Sequence, residues 1–201
     1  MIGKQPIKPN NILTVINDQN NKLRGKMMEH KLLADIFNRK SIRKYTSEQV
    51  SKKQLETLVK AGMSAPSALN IQPWAFVAID ERSVLDVLSR KLPYAKMLSQ
   101  AQAAIVVCGD LGRADDDWQR DYWIQDCSAA SENILLAATA MGLGSVWTAV
   151  YADPERIATV KEILKLPDHI IPLNVIPLGY PDGEFKPMDK WKPENLHWQC
   201  W

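Results

Sequence analysis

The chain carries one concentrated run of cations, Arg39-Lys40-Ser41-Ile42-Arg43-Lys44. Arg39, Ser41 and Arg43 alternate, so in an extended segment they point to one side. Two guanidiniums and a hydroxyl on one face suit a phosphate monoester, which carries close to two negative charges. Taken alone, such a run is more often a solvated surface turn. A second segment, Ala65-Pro66-Ser67-Ala68-Leu69-Asn70-Ile71-Gln72-Pro73-Trp74, combines two prolines, small residues and Asn70. Such a composition builds a rigid loop, which either lines a site or simply joins a helix to a strand. Familiar catalytic devices are missing: no GxSxG, P-loop or HExxH is present, and His30, His169 and His197 are too dispersed for a metal cluster. Gly142-Leu143-Gly144 lacks the third glycine of a dinucleotide fingerprint and closes a helix instead of opening one. An enzyme with this inventory leaves its chemistry to a bound cofactor.

The elements that must position these segments are legible from local signals. Leu32, Leu33, Ile36 and Phe37 recur at helical spacing. Ser51 and Gln54 form a capping-box signature, opening a helix that carries Leu55, Leu58 and Val59 and stops near Gly62. Trp74 to Ile79 reads as a strand, with Asp80 as cap for a helix over Glu81 to Arg90. Ala103 to Cys108 has the apolar run of a buried central strand. The longest helix is expected from Tyr122 to Met141; its small, apolar, sparsely charged residues suit burial on several sides. Ser145 to Val150 reads as a strand, Asp153-Pro154-Glu155 as a helix start, and Ile171 to Leu178 as a last strand before a Pro-rich tail. Helices outweigh short, widely separated strands, so the class is α+β.

With 201 residues, 46% hydrophobic and 24% charged, the chain has the composition of one globular domain with or without a tail. Residues 1–26, rich in Asn, Lys and Pro, read as an N-terminal extension, and residues 27–201 as the domain proper; an alternative is that Met27 or Met28 is the natural start. A net charge of +2 gives no nucleic-acid footprint. No apolar run approaches the ~20 residues of a membrane-spanning helix, and no secretory signal is visible. Cys108, Cys127 and Cys200 are odd in number and widely spaced, which points to reduced thiols and a cytoplasmic location.

Taken in order, "RKSIRKYT", "APSALNIQPWAF", "GLGSVWTAVY" and "LGYPDGEFKPMDKW" form a series that resembles the nitroreductase family of flavoproteins, from about Glu29 to Trp201. "PYAKML", "QDCSAASENILLAA" and the ending "HWQCW" resemble its short-chain members. The resemblance implies an α+β fold, with a mixed, mainly antiparallel sheet flanked by helices and the long helix in a homodimer core. It also implies FMN at the subunit interface, with NADH or NADPH as transient co-substrate. Arg39, Lys40 and Ser41 match positions that hold the phosphate and ribityl chain, and Arg43 a cation beside the pyrimidine edge. Pro66, Ser67 and Asn70 match the flavin-lining loop, partly supplied by the other subunit. Lys96 matches a second cation near the flavin, Trp147, Thr148 and Ala149 a strand end passing N5, and Lys190 a late cation on the phosphate. Four departures stand out: Leu69 and Ala149 replace frequent glycines, Ala75 a frequent histidine, and Met188 one member of a frequent basic pair.

The expected activity is hydride transfer from NAD(P)H through FMN to a nitroaromatic, quinone or similar small acceptor in ping-pong order. The alternatives are a same-fold flavin enzyme with another reaction, such as flavin fragmentation or reductive dehalogenation, and a non-catalytic flavin binder. Trp118 and Trp123, beside an acidic segment, form either a lid or part of a dimer interface in this reading.

Overall fold

A computed structural model describes residues 30–114 and 116–201. The chain divides into two compact units, Met1–Asn38 and Arg39–Trp201. Of the first, the structure describes one helix, α1 (Lys31–Asn38), which buries none of its residues. The expected extension over residues 1–26 lies outside the described residues.

The second unit is built on a five-stranded sheet: β1 (Trp74–Ile79), β2 (Ala103–Asp110), β3 (Gly144–Ser145), β4 (Thr148–Ala149) and β5 (Ile170–Gly179). The order is β1-β2-β5-β3, with β4 also on β5, and every pairing is antiparallel. Helices α2 (Lys52–Met63), α3 (Arg82–Lys91), α4 (Asp117–Arg120), α5 (Trp123–Ala140) and α6 (Pro154–Leu164) complete the α+β fold. Strand β2 explains the layering. Its Ile105 and Val107 join a core with Leu55 and Leu58 of α2 and Cys127, Ala130 and Ile134 of α5. The alternate residues Ala104, Val106 and Cys108 join a second core with Leu85 and Leu88 of α3 and Val160 of α6. Period-two alternation thus places apolar residues on both faces, as a covered sheet requires.

Local signals place most boundaries. The box at α2 is complete: Ser51 Oγ accepts from Gln54 N at 3.3 Å, and Ser51 N donates to Gln54 Oε1 at 2.9 Å. Asp153 caps α6 by accepting from Glu155 N and Arg156 N, with Pro154 in the first turn. Two expectations need correction. The residue capping α3 is Glu81 instead of Asp80, and it makes no side-chain cap bond. The strand expected over Ser145–Val150 is two short pieces sharing one register with β5, Ser145 opposite Leu178 and Thr148 opposite Val175. In that register the gap between them falls opposite Pro177, which has no N–H for the ladder. Farther along, β2 and β5 shift register between Val107 and Cys108, leaving Leu173 out of the pairing. Its carbonyl accepts from both Val150 N and Tyr151 N at 3.0 Å, so the irregularity holds the exit of β4 in place.

Candidate functional site

Residues after Asn38 run extended along β3. Ser41 bridges Ser145 in parallel, Ile42 N donates to Ser145 O at 2.9 Å, and Tyr45 bridges Pro181. The segment is held by what it buries: Ile42 and Tyr45 lie in the core shared with α3 and α6. Close approach depends on Gly144, where a Cβ would stand 2.6 Å from Ile42 Cγ2. The Tyr45 hydroxyl donates to Ile42 O at 2.6 Å, and burial holds the phenol well above its ordinary range, so it remains a neutral donor. With Ile42 turned inward, Ser41 and Arg43 are exposed, as alternation requires. Arg39 is half-buried, its Nε 3.5 Å from Glu132 Oε1 on α5.

The Pro66–Pro73 loop has an unusual backbone. Leu69, Asn70 and Gln72 adopt φ of 50°, 57° and 54°, the left-handed region that non-glycine residues rarely occupy. Surrounding bonds impose it. Gln72 N donates to Ser67 Oγ at 2.9 Å, Gln72 Nε2 to Asn70 Oδ1 at 2.9 Å, and Ala68 N to Asp126 Oδ1 of α5 at 3.1 Å. Arg113 Nη1 donates to Gln72 O at 2.9 Å, tying the far end of the loop to the exit of β2. Asp126 is buried, and burial raises its carboxyl above the usual range against the opposing pull of the Ala68 N–H.

On the third segment, Trp147 is half-buried and Ala149 exposed, while the buried Thr148 donates its hydroxyl to Val175 O. Arg156 Nη1 reaches Ala149 O at 3.4 Å, and its guanidinium lies 4.9 Å from the centre of the Tyr94 ring. Lys96 is exposed, its Nζ donating to Arg90 O at 3.4 Å, and Pro66 and Lys190 are exposed. Trp123 is buried across Gly109, whereas Trp118 is exposed; of the two, Trp123 belongs to the core and is no lid.

The structure therefore brings Ser41 and Ala149 onto one side of the sheet, through β3 and β4, and joins the basic segment and the loop through α5. That helix has only two ionisable carboxylates, Asp126 and Glu132, and each holds one of the two segments. They stand six positions apart, about 9 Å along the helix axis. Sequence reasoning passed over both, although two lone charges in an apolar helix were a usable signal.

The donor set fits FMN. Arg39, Lys40, Ser41 and Arg43 supply cations and a hydroxyl in an extended stretch whose alternate side chains reach the surface, which suits a phosphate monoester. Glu132 offsets only one of these charges. A groove of about 600 Å³ lies elsewhere, between α2 and β1, lined by Leu55, Val59, Met63, Trp74, Ala75 and Phe76. It contains none of the predicted cofactor-binding residues. Among the described residues no group of three His, Cys, Asp or Glu side chains could hold a metal, and no helix is long and apolar enough to cross a membrane.

Comparison with known proteins agrees with this fold. Residues 36–92 and 82–180 match the model of the nitroreductase family. A protein of Archaeoglobus fulgidus named "Putative NADH dehydrogenase/NAD(P)H nitroreductase" is 43% identical over 169 residues, 83% of this chain and 96% of the relative. A crystal structure from Parabacteroides distasonis bearing the same name is 47% identical, with a TM-score of 0.80 over 86% of this chain and 99% of its own. An FMN-dependent nitroreductase from Clostridium difficile is 30% identical, with a TM-score of 0.76 over 83% of this chain and 98% of its own.

Proposed function

The chain belongs to the nitroreductase family, and on that premise we propose an FMN-dependent oxidoreductase that uses NADH or NADPH to reduce nitroaromatic, quinone or similar small acceptors. The observation that carries this reading is the basic segment beside β3, where burial of Ile42 leaves Ser41 and Arg43 exposed and Glu132 holds Arg39. The FMN-dependent relative of 30% identity supports the cofactor.

In this reading Arg39, Lys40, Ser41 and Lys190 hold the phosphate and ribityl chain. The Arg43 guanidinium would place a positive charge beside the pyrimidine edge, with Lys96 as a second cation. Pro66, Ser67 and Asn70 would line the flavin, and Trp147, Thr148 and Ala149 would lie along its reactive edge. Bound FMN supplies the two-electron store, so the protein needs no general base of its own. Nicotinamide and acceptor use one site in turn, which imposes ping-pong order. The reading includes a homodimer, with the loop of one subunit reaching the flavin of the other. Exposed Trp118, Trp191 and Trp198 are consistent with such an interface. A cytoplasmic location, with residues 27–201 as the cofactor-binding domain, goes with it.

Absorbance of the purified protein under anaerobic conditions tests the activity. A yellow protein that is bleached by NADH or NADPH and recovers its colour with a quinone is expected. A protein that takes up no FMN ends the reading, and one that NAD(P)H does not bleach is a flavin binder only.

A further inference from the structure

The Asp126 carboxylate is an expensive feature of this fold. It is 7% exposed, in a helix face otherwise formed by Trp123, Cys127, Ala130 and Ile134. A buried carboxylate costs stability unless it is hydrogen-bonded, and a neutral residue of similar size would fill the space more cheaply. Its place in the first turn of α5 offers a favourable dipole, but a carboxylate serving only the helix would cap the helix's own N–H groups. Instead Asp126 Oδ1 leaves the helix and accepts from Ala68 N at 3.1 Å, in a segment 58 positions away.

The residue it meets is well chosen. Ala68 opens the turn whose next two residues, Leu69 and Asn70, both stand at positive φ. A left-handed leucine is strained, an asparagine less so, and such strain persists only where the surroundings over-determine it. Ser67 Oγ fixes the loop from within by accepting from Gln72 N, whereas Asp126 fixes its start, and Arg113 its far end, to the rest of the molecule. An anion accepting a backbone N–H makes the stronger, charge-assisted kind of bond.

We propose that Asp126 is a positioning residue for cofactor binding, and that its bond to the Ala68 amide holds Ser67 and Asn70 in the conformation that receives FMN. This rests on the reading that the loop lines FMN. Asp126 touches no cofactor itself and acts through the loop backbone.

The test is a double-mutant cycle on FMN-free protein titrated with FMN by fluorescence. Asp126→Ala removes the acceptor. Ala68→Pro removes the donor but sets the ring Cδ against Asp126 Oδ1, so it is read together with the double variant, where Asp126→Ala leaves room for the ring. Ser67, at φ −140° and ψ 155°, already has the conformation that a residue before proline adopts. Asp126→Asn keeps an acceptor oxygen. Asp126→Ala is expected to weaken FMN binding by about tenfold, the size of one charge-assisted bond, and Ala68→Pro by at least as much. The double variant should lose no more than either single one. Asp126→Asn should stay within about threefold of the wild type; because it keeps the side-chain volume as well as an acceptor oxygen, the packing role is tested by Ala68→Pro, which leaves residue 126 unchanged. Amide exchange at residue 68 in FMN-free protein should quicken in Asp126→Ala and be largely restored in Asp126→Asn. Wild-type affinity in Ala68→Pro, equal losses in Asp126→Ala and Asp126→Asn, or additive losses in the double variant would each overturn the proposal. Should Asp126→Ala fail to fold, the comparison of Ala68→Pro with Asp126→Asn decides alone. If the wild-type protein itself binds no FMN, the cofactor reading fails and this proposal falls with it. Wild-type binding with an indifferent Ala68→Pro sinks only the proposal.

Discussion

Arg39 Nε lies 3.5 Å from Glu132 Oε1, with the Arg39 side chain only 17% exposed, while Lys44, five positions on, is open to solvent. The members of one basic run are therefore unequal. Arg39 is pre-oriented by a helix, and Lys44 contributes to the fold through its backbone, its carbonyl accepting from Asp182 N at 3.1 Å. A hydrogen bond to a charged group contributes roughly 1.5–3 kcal/mol, so Arg39→Ala should weaken FMN binding by about 10- to 150-fold. Arg39→Lys should recover part of this, because a point charge replaces a fork. Lys44→Ala should change affinity by less than about threefold, as solvent and salt screen it. Equal losses in the two alanine variants, read by fluorescence titration, would reduce the run to a solvated basic turn.

Leu69 occupies a backbone conformation suited to glycine, at φ 50° with its side chain projecting into solvent. The usual glycine of the resemblance thus has a physical counterpart here. Leu69→Gly removes a backbone cost of about 1 kcal/mol and adds unfolded-state entropy of similar size, so stability should move by less than about 1 kcal/mol. If Leu69 faces the acceptor pocket, FMN content should hold while the acceptor profile shifts. An unchanged profile across a quinone and nitroaromatic panel would make Leu69 neutral packing.

Trp123 lies so close over Gly109 that a Cβ there would stand 2.2 Å from its ring, and its other side meets Tyr151 edge-on at 4.9 Å. The indole has no room to retreat. Gly109→Ala should cost about 1–3 kcal/mol in urea unfolding, the range for over-packing a core. Stability equal to the wild type would mean that the indole can move, and would reopen its role as a lid.

Burial pushes the Cys108 and Cys127 thiols up to about 12, whereas Cys200 is exposed. Both buried groups are acids whose ionised form the fold disfavours, so they stay protonated and unreactive until the pH approaches that value. At pH 8 the native protein should titrate one thiol with a disulfide reagent, and denatured protein all three. Rapid labelling of a second thiol in the native state would contradict this core.

If the flavin site is shared between subunits, dilution should yield monomer and FMN-free protein together. Sedimentation followed at both protein and flavin wavelengths checks this. A monomer that retains full FMN occupancy would confine the site to one chain.

Much of the architecture was readable one segment at a time, because its causes are local. The Ser51–Gln54 box and the Asp153–Pro154 start depend on neighbours within a turn, and the strand patterns of β1, β2 and β5 on alternation along a few residues. The candidate site was readable only as separate pieces. Alternation gave the exposure of Ser41 and Arg43, and turn composition gave the stiffness of the Pro66–Pro73 loop. Where a local rule had near-equal alternatives it misled: Asp80 and Glu81 both suit a cap, and a continuous β4 ignored the proline on the strand opposite.

What the amino-acid order could not disclose was partnership. Asp126 and Glu132 are visible as lone charges in an apolar helix, yet their partners Ala68 and Arg39 are distant in the chain and meet them only after α5 has packed on the sheet. Trp118 and Trp123 read alike, but one is exposed and the other buried, because the space over residue 109 exists only once β2 and α5 are in contact. Propensity, capping and alternation act over a few residues and are written in the chain directly. The choice of a side chain's distant partner follows from packing, which is decided by the volume and hydrogen-bonding groups that all the other elements leave unfilled.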